Sequence, residues 1–335
     1  MSAPRIAAVA LAAWLGGAAA QAAAPGYRVL NRIPGPDGGW DYVRVDPANN
    51  RVLVARGGSV MSVDLATNAV TAGLAPGSVL HDAMPVNGGK EFLVTNGGTG
   101  TAVFADAKTG ATVATVQAGK GADAAAFDAH SGLVLVMNHI GGDVTLIDPK
   151  AHTAVGTIMI GGELEAAAVD GAGHAFVNVE DKNEIAVVDL AARKVIARYA
   201  LTGCDGPTGL AYVATERLLI AACDGATDVV DARSGKVLQT LATGKGADGV
   251  AFDAKRKLAF VPAGRDGKLA VIAVARGGGS KVVESVPTAV GARTIALDDR
   301  TGRLYLPTAR YAPPAAAGGR PTIVPGTFEL LVVGP

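Results

Sequence analysis

The chain has 335 residues, of which 49% are hydrophobic and 18% charged, a balance typical of a globular protein and not of a disordered one. Lys and Arg total 30 against 30 Asp and Glu, and only 4% of the residues are aromatic. This composition lacks the basic face and the stacking aromatics of nucleic-acid-binding proteins, so it argues against a nucleic-acid partner.

The N-terminus has the pattern of a secretory signal peptide, which we predict to span residues 1–22. Arg5 supplies the positive charge, residues 6–15 are apolar, and small residues follow up to position 24. The apolar run is too short to cross a bilayer. Cleavage after Ala20 or Ala22 fits the small residues, and we favour Ala22. We therefore expect residues 23–335 to be one domain, without a membrane span, in a bacterial periplasm or outside the cell.

The mature chain is built from an internal repeat of about 42 residues. The sequence GKGADAAAFDA at 119–129 returns as GKGADGVAFDA at 244–254, with nine of eleven positions identical and an offset of 125 residues. A recurring position, often Asp, marks seven repeats: Asp46, Asn87, Asp128, Asp170, Val213, Asp253 and Asp298. The predicted repeats lie near 40–76, 77–118, 119–160, 161–201, 202–242, 243–287 and 288–335.

Each repeat contains four short strands separated by turn residues. The third reads AAAFD, GLVLVMN, GDVTLID and AVGTIMI, with a second register of turn-forming Asp residues such as Asp106 and Asp148. Four strands in each of seven repeats predict an all-β, seven-bladed β-propeller of antiparallel blades. The last repeat lacks its fourth strand, and residues 27–35 are predicted to supply it by pairing beside 328–333, which closes the ring.

Several segments resemble the YVTN-repeat, YncE-like propeller family. They are FLVTN at 92–96, VLVMN at 134–138, WDY at 40–42, EDKNE at 180–184 and LPT at 306–308. The resemblance implies a seven-bladed propeller that is usually exported and often has no assigned activity. At the level of fold it is similar to propellers of quinoprotein amine dehydrogenases and nitrous-oxide reductases, and function does not follow from that analogy.

The loops that enter the first strand of each repeat should meet the loops between strands two and three on one side of the disc, which we call the upper face. Five residues before each marker position stands the residue expected at the mouth of the central channel. These channel-mouth residues are Asp41, Asp82, Asp123, Glu165, Thr208, Asp248 and Arg293. Such a collar either binds a cation or a basic partner, or only fixes the loop of each blade through local hydrogen bonds, and we favour the second interpretation.

Other upper-face candidates come from neighbouring loops: Trp40, Arg56, His81, Asn96, His139, Glu180, Arg265 and Arg310. Asp123, Glu165, Asp248, His81 and His139 offer a weak set of ligands for a divalent cation, but no His or Cys spacing of a dedicated metal site is present. We therefore expect no cofactor. Residues 310–325, rich in Pro and Gly, are predicted to be an extended loop that either covers the channel mouth, contacts a partner, or is simply solvated.

Cys204 and Cys223 are the only cysteines, and both fall at the upper edge of the fifth blade. In an oxidising compartment, a pair on adjacent antiparallel strands predicts a disulfide. We expect a monomeric, exported, non-catalytic protein that binds a small molecule or a periplasmic protein through its upper face. The alternative is an enzyme or enzyme subunit, either a metal-assisted hydrolase or lactonase, or a propeller associated with an oxidoreductase.

Overall fold

A computed structural model describes residues 25–313 and 321–335, so the predicted signal peptide lies outside the described residues. The chain begins with β1 (Arg28–Pro34) and then forms six consecutive four-stranded sheets. Blade one contains β2 (Val43–Asp46), β3 (Arg51–Arg56), β4 (Ser59–Asp64) and β5 (Val70–Pro76). Blade two contains β6 (Leu80–Val86), β7 (Glu91–Asn96), β8 (Thr101–Asp106) and β9 (Thr112–Gln117). Blade three contains β10 (Ala122–Asp128), β11 (Leu133–Asn138), β12 (Asp143–Asp148) and β13 (Thr153–Met159).

The next three sheets follow the same order. Blade four contains β14 (Leu164–Val169), β15 (His174–Val179), β16 (Glu184–Asp189) and β17 (Lys194–Ala200). Blade five contains β18 (Gly209–Val213), β19 (Leu218–Ala222), β20 (Gly225–Asp231) and β21 (Val237–Gly244). Blade six contains β22 (Ala251–Asp253), β23 (Leu258–Ala263), β24 (Lys268–Ala273) and β25 (Lys281–Pro287). The described helical segments are three short 3-10 turns at Asn87–Gly89, Glu180–Lys182 and Arg276–Gly278, and no described helix is long and apolar enough to cross a membrane.

Blade seven is assembled from both ends of the chain. Its strands β26 (Ala296–Asp298) and β27 (Arg303–Thr308) are followed by the two-stranded hairpin β28 (Tyr311–Ala312) and β29 (Thr322–Ile323), and then by β30 (Glu329–Gly334). The sheet order is β1-β30-β27-β26, with β1 antiparallel to β30 and Ile33 opposite Leu330. The predicted closure by the N-terminal strand is therefore confirmed, and it covers an edge of β30 that would otherwise be free to pair with another chain.

The first strands of the blades contact one another in a closed circle, β2, β6, β10, β14, β18, β22, β26 and back to β2. This is the predicted seven-bladed β-propeller. Each of seven apolar clusters is shared by two neighbouring blades. Blades one and seven, for example, pack Trp40, Ile33 and Phe328 together, all nearly buried. The core therefore lies between sheets, and the alternating inward and outward side chains of each strand serve two interfaces.

Asp residues form the turns between the third and fourth strands of several blades, as the sequence predicts. The Asp64 carboxylate accepts hydrogen bonds from the backbone N–H groups of Ala66 and Thr67, at 2.9 and 2.8 Å. Asp106 and Asp231 do the same two and three residues ahead. These are Asx turns, and they explain why Asp recurs between the third and fourth strands.

The loop at 310–325 differs from the sequence prediction. Instead of an extended loop throughout, Tyr311 pairs with Ile323 and Ala312 with Thr322 to form the β28–β29 hairpin. The prolines of this segment stand beside the four paired residues and not among them, so each pairing residue keeps its N–H. Residues 314–320 lie outside the described part of the chain.

Candidate ligand site at the channel mouth

Strand pairing identifies the residue of each blade that stands at the channel mouth. In blade three Ala122 lies opposite Asn138 and Asp128 opposite Leu133, which places Asp123 directly after the first paired residue. In blade two Leu80 lies opposite Asn96 and Val86 opposite Glu91, so the equivalent residue is His81. The marker in blade two is thus Val86 and not Asn87, and the sequence alignment was displaced by one residue there.

Asp82 consequently does not lie at the mouth. Its carboxylate is fully buried and accepts hydrogen bonds from Arg44, with Nε of Arg44 at 2.9 Å, and from the backbone N–H of Ala125 at 3.1 Å. Arg44 also donates to the carbonyl oxygen of Ala125 at 2.9 Å. A one-residue step along a strand reverses the direction of the side chain, which is why the displaced alignment selected a buried group.

The corrected ring of first-strand residues converges on one cavity of about 260 Å³. Six of the seven ring positions line it, and they are Asp41, His81, Asp123, Glu165, Asp248 and Arg293. The seventh, Thr208, hydrogen-bonds the carbonyl oxygen of Ala247 at 2.9 Å and lines an adjacent cavity of about 320 Å³. His139, from the loop between β11 and β12, also lines the mouth cavity.

Ion pairs connect the ring residues across neighbouring blades. Arg293 Nε lies 2.7 Å from Oδ2 of Asp248, and Arg293 Nη2 lies 3.8 Å from Oδ1 of Asp41. On the other side of Asp41, its Oδ2 lies 2.7 Å from Nδ1 of His81, which is itself 3.6 Å from Oδ2 of Asp123. The mouth is therefore a connected charged network that links blades six, seven, one, two and three.

A second histidine–carboxylate pair lies beside Asp123 and extends the group of charged side chains to blade four. Nδ1 of His139 lies 3.1 Å from Oε1 of Glu165 and 3.2 Å from the carbonyl oxygen of Leu164. The Asp41–His81–Asp123 set and the Asp123–His139–Glu165 set each bring one potential ligand atom per residue within 4.8 Å of the others. Asp123 belongs to both sets, whereas Asp248 belongs to neither.

The electrostatic environment shifts the proton affinities of these groups. For His81, burial opposes the charged form most strongly, but the hydrogen bond that its Nδ1 donates to Asp41 and the charge of Asp123 outweigh it and raise the pKa to about 8. The hydrogen bond to Glu165 is the main reason that the pKa of His139 rises to about 9. Burial, followed by the nearby Asp41 charge, raises the pKa of Asp123 well above its usual range. Burial likewise raises the pKa of Asp248, against the opposing influence of Arg293.

The channel narrows immediately below this mouth. A small cavity of about 80 Å³ lies there, walled by Tyr42, Arg44 and backbone or small side chains of the first strands, such as Ala124 and Gly209. Sequence inspection missed Tyr42 and Arg44 as parts of the site. The available signal was only their proximity to Asp41 in the sequence, at the start of blade one.

The remaining sequence candidates fall into two groups, and the first is structural. Arg56 is buried, donates to three backbone carbonyls including Gly39 at 2.7 Å, and stacks 3.5 Å from the ring centre of Phe328. Burial lowers its pKa to about 10. Trp40 is buried in the interface between blades seven and one, and the side-chain oxygen of Asn96 accepts a bond from the N–H of Ser78 at 3.0 Å.

The second group extends the upper face beyond the mouth. Glu180 and Arg265 line the adjacent cavity with Thr208, and Arg265 pairs with Asp224 at 3.0 Å. Arg310 is exposed beside the β28–β29 hairpin.

Cys204 and Cys223 form the predicted disulfide, with Cα atoms 5.2 Å apart. Both cysteines are buried within the cluster shared by blades four and five. A disulfide of this kind indicates an oxidising compartment, which fits an exported protein.

Comparison with known proteins adds evidence on the fold. No family model matches the chain, and no curated protein matches it. Among solved structures, the chain is similar to one titled Hydrazine Synthase from Kuenenia stuttgartiensis, at 13% identity and a TM-score of 0.70, over 93% of this chain and 99% of that one. It is also similar to a chain in a structure titled Mitotic Checkpoint Complex, at 16% identity and a TM-score of 0.74, over 99% of both.

The chain has the seven-bladed propeller fold. At these identities the similarities show the fold and nothing further, because propellers with unrelated functions share it.

Proposed function

We propose that the chain is a non-catalytic binding protein that accepts a positively charged ligand at the mouth of its central channel. One observation carries the proposal: four carboxylates, Asp41, Asp123, Glu165 and Asp248, come from four blades and meet in one cavity. Each has a side-chain exposure between 12% and 25%, so all four are partly withdrawn from water. Arg293 is the one cavity-lining Arg or Lys among the described residues. A cation bound in this cavity would stabilise the ionised form of the four carboxylates.

The narrow part of the channel below the mouth indicates the face from which a ligand would enter. Tyr42 and Arg44 line the small cavity beneath the ring, and Arg44 pairs there with the fully buried Asp82. Because this cavity is only about 80 Å³, we expect a ligand to enter from the upper face and stop at the mouth. The adjacent cavity adds Glu180, Asp205 and Asp224, so the acidic character continues over the surface on which a larger cationic ligand would rest.

A second candidate function is metal-assisted hydrolysis, with the chain as an enzyme or enzyme subunit. The observation that favours it is the His81–Asp41 pair, in which a carboxylate lies 2.7 Å from the imidazole nitrogen. A base oriented by a third group is the arrangement used for general-base catalysis. The same site would serve both functions. Both require a cation at the channel mouth, and binding experiments test that requirement.

Calorimetric titration of the mature chain at low ionic strength tests the binding proposal. Three probes cover the classes of cation: spermidine for an organic cation, Ca²⁺ for an oxygen-seeking ion and Zn²⁺ for a nitrogen-binding ion. We expect at least one probe to bind, and Asp123→Asn to weaken that binding about tenfold, equivalent to about 1.4 kcal/mol.

Asp299→Asn is the matched control, because it removes the same charge from an exposed turn at the other end of blade seven. Its binding should equal that of the wild type. The proposal is wrong if none of the three cations binds, or if both Asn variants lose binding to the same extent.

We further propose that the chain is a divergent member of the YVTN-repeat, YncE-like family and is exported to a periplasm or beyond the cell as a monomer. The FLVTN segment at 92–96 and the disulfide support this assignment. Mass spectrometry of the chain expressed in a Gram-negative bacterium should find the mature N-terminus at residue 23. An intact N-terminus together with purely cytoplasmic recovery would contradict export.

A further inference from the structure

The chain contains several histidine–carboxylate pairs, and they differ in what surrounds them. His174 lies 2.9 Å from Asp170 and His152 lies 2.9 Å from Glu91. Neither pair belongs to any set of three potential ligand atoms among the described residues. His139 belongs to two such sets, one with Asp123 and Glu165 and one with two further glutamates. Its neighbourhood therefore offers more donor atoms than a simple ion pair needs.

The alternative set around His81 is less suited to a metal ion. Its Asp41 carboxylate lies 3.8 Å from Arg293, which also binds Asp248. A metal bound there would face the guanidinium charge at short range. In the described part of the chain, neither Asp123 nor Glu165 forms an ion pair with Lys or Arg. On the His139 side of the mouth, the carboxylates are therefore paired with histidines, which can give up their proton to a metal, and not with a permanently charged Arg or Lys.

Tyr42 provides an independent observation at the same cavity. Its hydroxyl oxygen is inaccessible to solvent and has no hydrogen-bond partner among the described residues. After burial, the charges of Glu165 and Asp123 are the strongest influences that keep this hydroxyl protonated. A buried hydroxyl without a partner is costly, so the described side chains leave one polar group unsatisfied beside this cavity.

We propose that Asp123, His139 and Glu165 bind one divalent transition-metal ion of the Zn²⁺ class. One imidazole and two carboxylates are ligands that Zn²⁺ accepts in tetrahedral sites, where a water fills the fourth position. Ca²⁺ instead requires six to eight oxygen ligands, which this set does not offer. The inference rests on the proposed function and narrows the ligand of that site from cations in general to a nitrogen-binding metal.

Titration of the full mature chain with Zn²⁺ and with Co²⁺ tests this assignment. His139→Gln should weaken Zn²⁺ binding by more than about 100-fold, because loss of an outer-shell partner alone costs about 10- to 100-fold. Co²⁺ should give the intense visible absorption of a tetrahedral site in the wild type, and this band should disappear in His139→Gln. Glu165→Gln, which keeps the shape of the side chain, should also lose the band.

His174→Gln is the matched control, because it breaks an isolated His–Asp pair at the opposite end of blade four. It should bind Zn²⁺ as the wild type does. Wild-type Zn²⁺ affinity in His139→Gln, or an equal loss in His174→Gln, would overturn the assignment. If spermidine or Ca²⁺ binds while Zn²⁺ does not, the metal assignment is wrong but the proposed function stands. If none of the three cations binds, both proposals are wrong.

Discussion

At the residue scale, carboxylates hold the two histidines of the channel mouth in their charged form. Asp41 raises the pKa of His81 to about 8, and Glu165 raises that of His139 to about 9. A raised histidine pKa stabilises the folded state below the unfolded value of about 6.5, and this stabilisation is lost as the pH rises through the folded value. Asp123 and Asp248, whose pKa values burial raises, act in the same direction because their protonated form is favoured in the folded state.

We therefore predict that the free energy of unfolding falls as the pH rises from 6.5 to 9. The shift of His81 alone corresponds to about 2 kcal/mol, from about 1.4 kcal/mol per pKa unit. Urea unfolding at several pH values measures the slope, and His81→Gln should make it shallower. A stability that is constant or increases over this range would contradict the electrostatic account of the mouth.

The Arg44–Asp82 pair is the second residue-scale feature, and it lies in the channel below the mouth. Asp82→Asn should lower the free energy of unfolding by about 1.5–3 kcal/mol, because the fully buried carboxylate loses its charged hydrogen bonds to Arg44, whose side chain is 33% exposed. Glu329→Gln is the control, since Glu329 pairs with Arg32 at the surface, where the exposed fractions are 27% and 49%. That change should cost less than about 1 kcal/mol. Equal effects of the two substitutions would show that Asp82 is not the buried partner described here.

At the element scale, β1 is the strand that closes the ring. It pairs with β30 along most of its length, and Ile33 is buried between blades seven and one. Leu30 of the same strand is 40% exposed. The closure thus depends on apolar packing as well as on backbone hydrogen bonds.

Ile33→Ala should accordingly lower the free energy of unfolding by about 2–4 kcal/mol. Leu30→Ala should change it by about 0.5 kcal/mol or less, as is usual for exposed positions. Chemical denaturation of both variants makes the comparison. If Leu30→Ala proves as destabilising as Ile33→Ala, the register of β1 on β30 is wrong.

The disulfide is the other element-scale constraint, and it ties the loop entering β18 to the end of β19. With a sequence separation of 19 between the cysteines, its removal should destabilise the chain by about 3 kcal/mol in the chain-entropy model. The Cys204→Ala/Cys223→Ala double variant tests this by denaturation, and thiol counting on the unreduced wild type should find none. Free thiols in that sample, or an unchanged stability in the variant, would contradict the bond.

At the scale of the whole molecule, the architecture could be predicted from the sequence because the same strand and turn pattern recurs seven times. An ambiguous boundary in one repeat is therefore resolved by the other repeats. The recurring Asp turns, together with a last repeat that lacks its fourth strand, were enough to predict seven blades and their closure. One alignment error, Asn87 for Val86, arose because blade two lacks the Asp at that turn. As a result, Asp82 was predicted at the channel mouth, where the structure has His81.

The contacts that make the site could not be predicted in the same way. The pairs His139–Glu165 and Arg44–Asp82 join different blades, so their distances depend on the curvature of the ring and on side-chain rotamers. Arg56 likewise carries no sequence signal that distinguishes a ligand-binding Arg from one that stacks on Phe328. Repeats determine which residues approach the axis, and only the assembled ring determines which of them meet.

The central claim is that Asp123, His139 and Glu165 at the channel mouth bind an ion of the Zn²⁺ class. A crystal structure of the mature chain grown with Zn²⁺, with an anomalous difference map at the zinc absorption edge, tests it most directly. The account predicts a peak inside the mouth cavity, about 2.0–2.1 Å from the His139 imidazole nitrogen and close to Asp123 and Glu165. A map with no peak there, or with peaks only at exposed histidines such as His174, would contradict it.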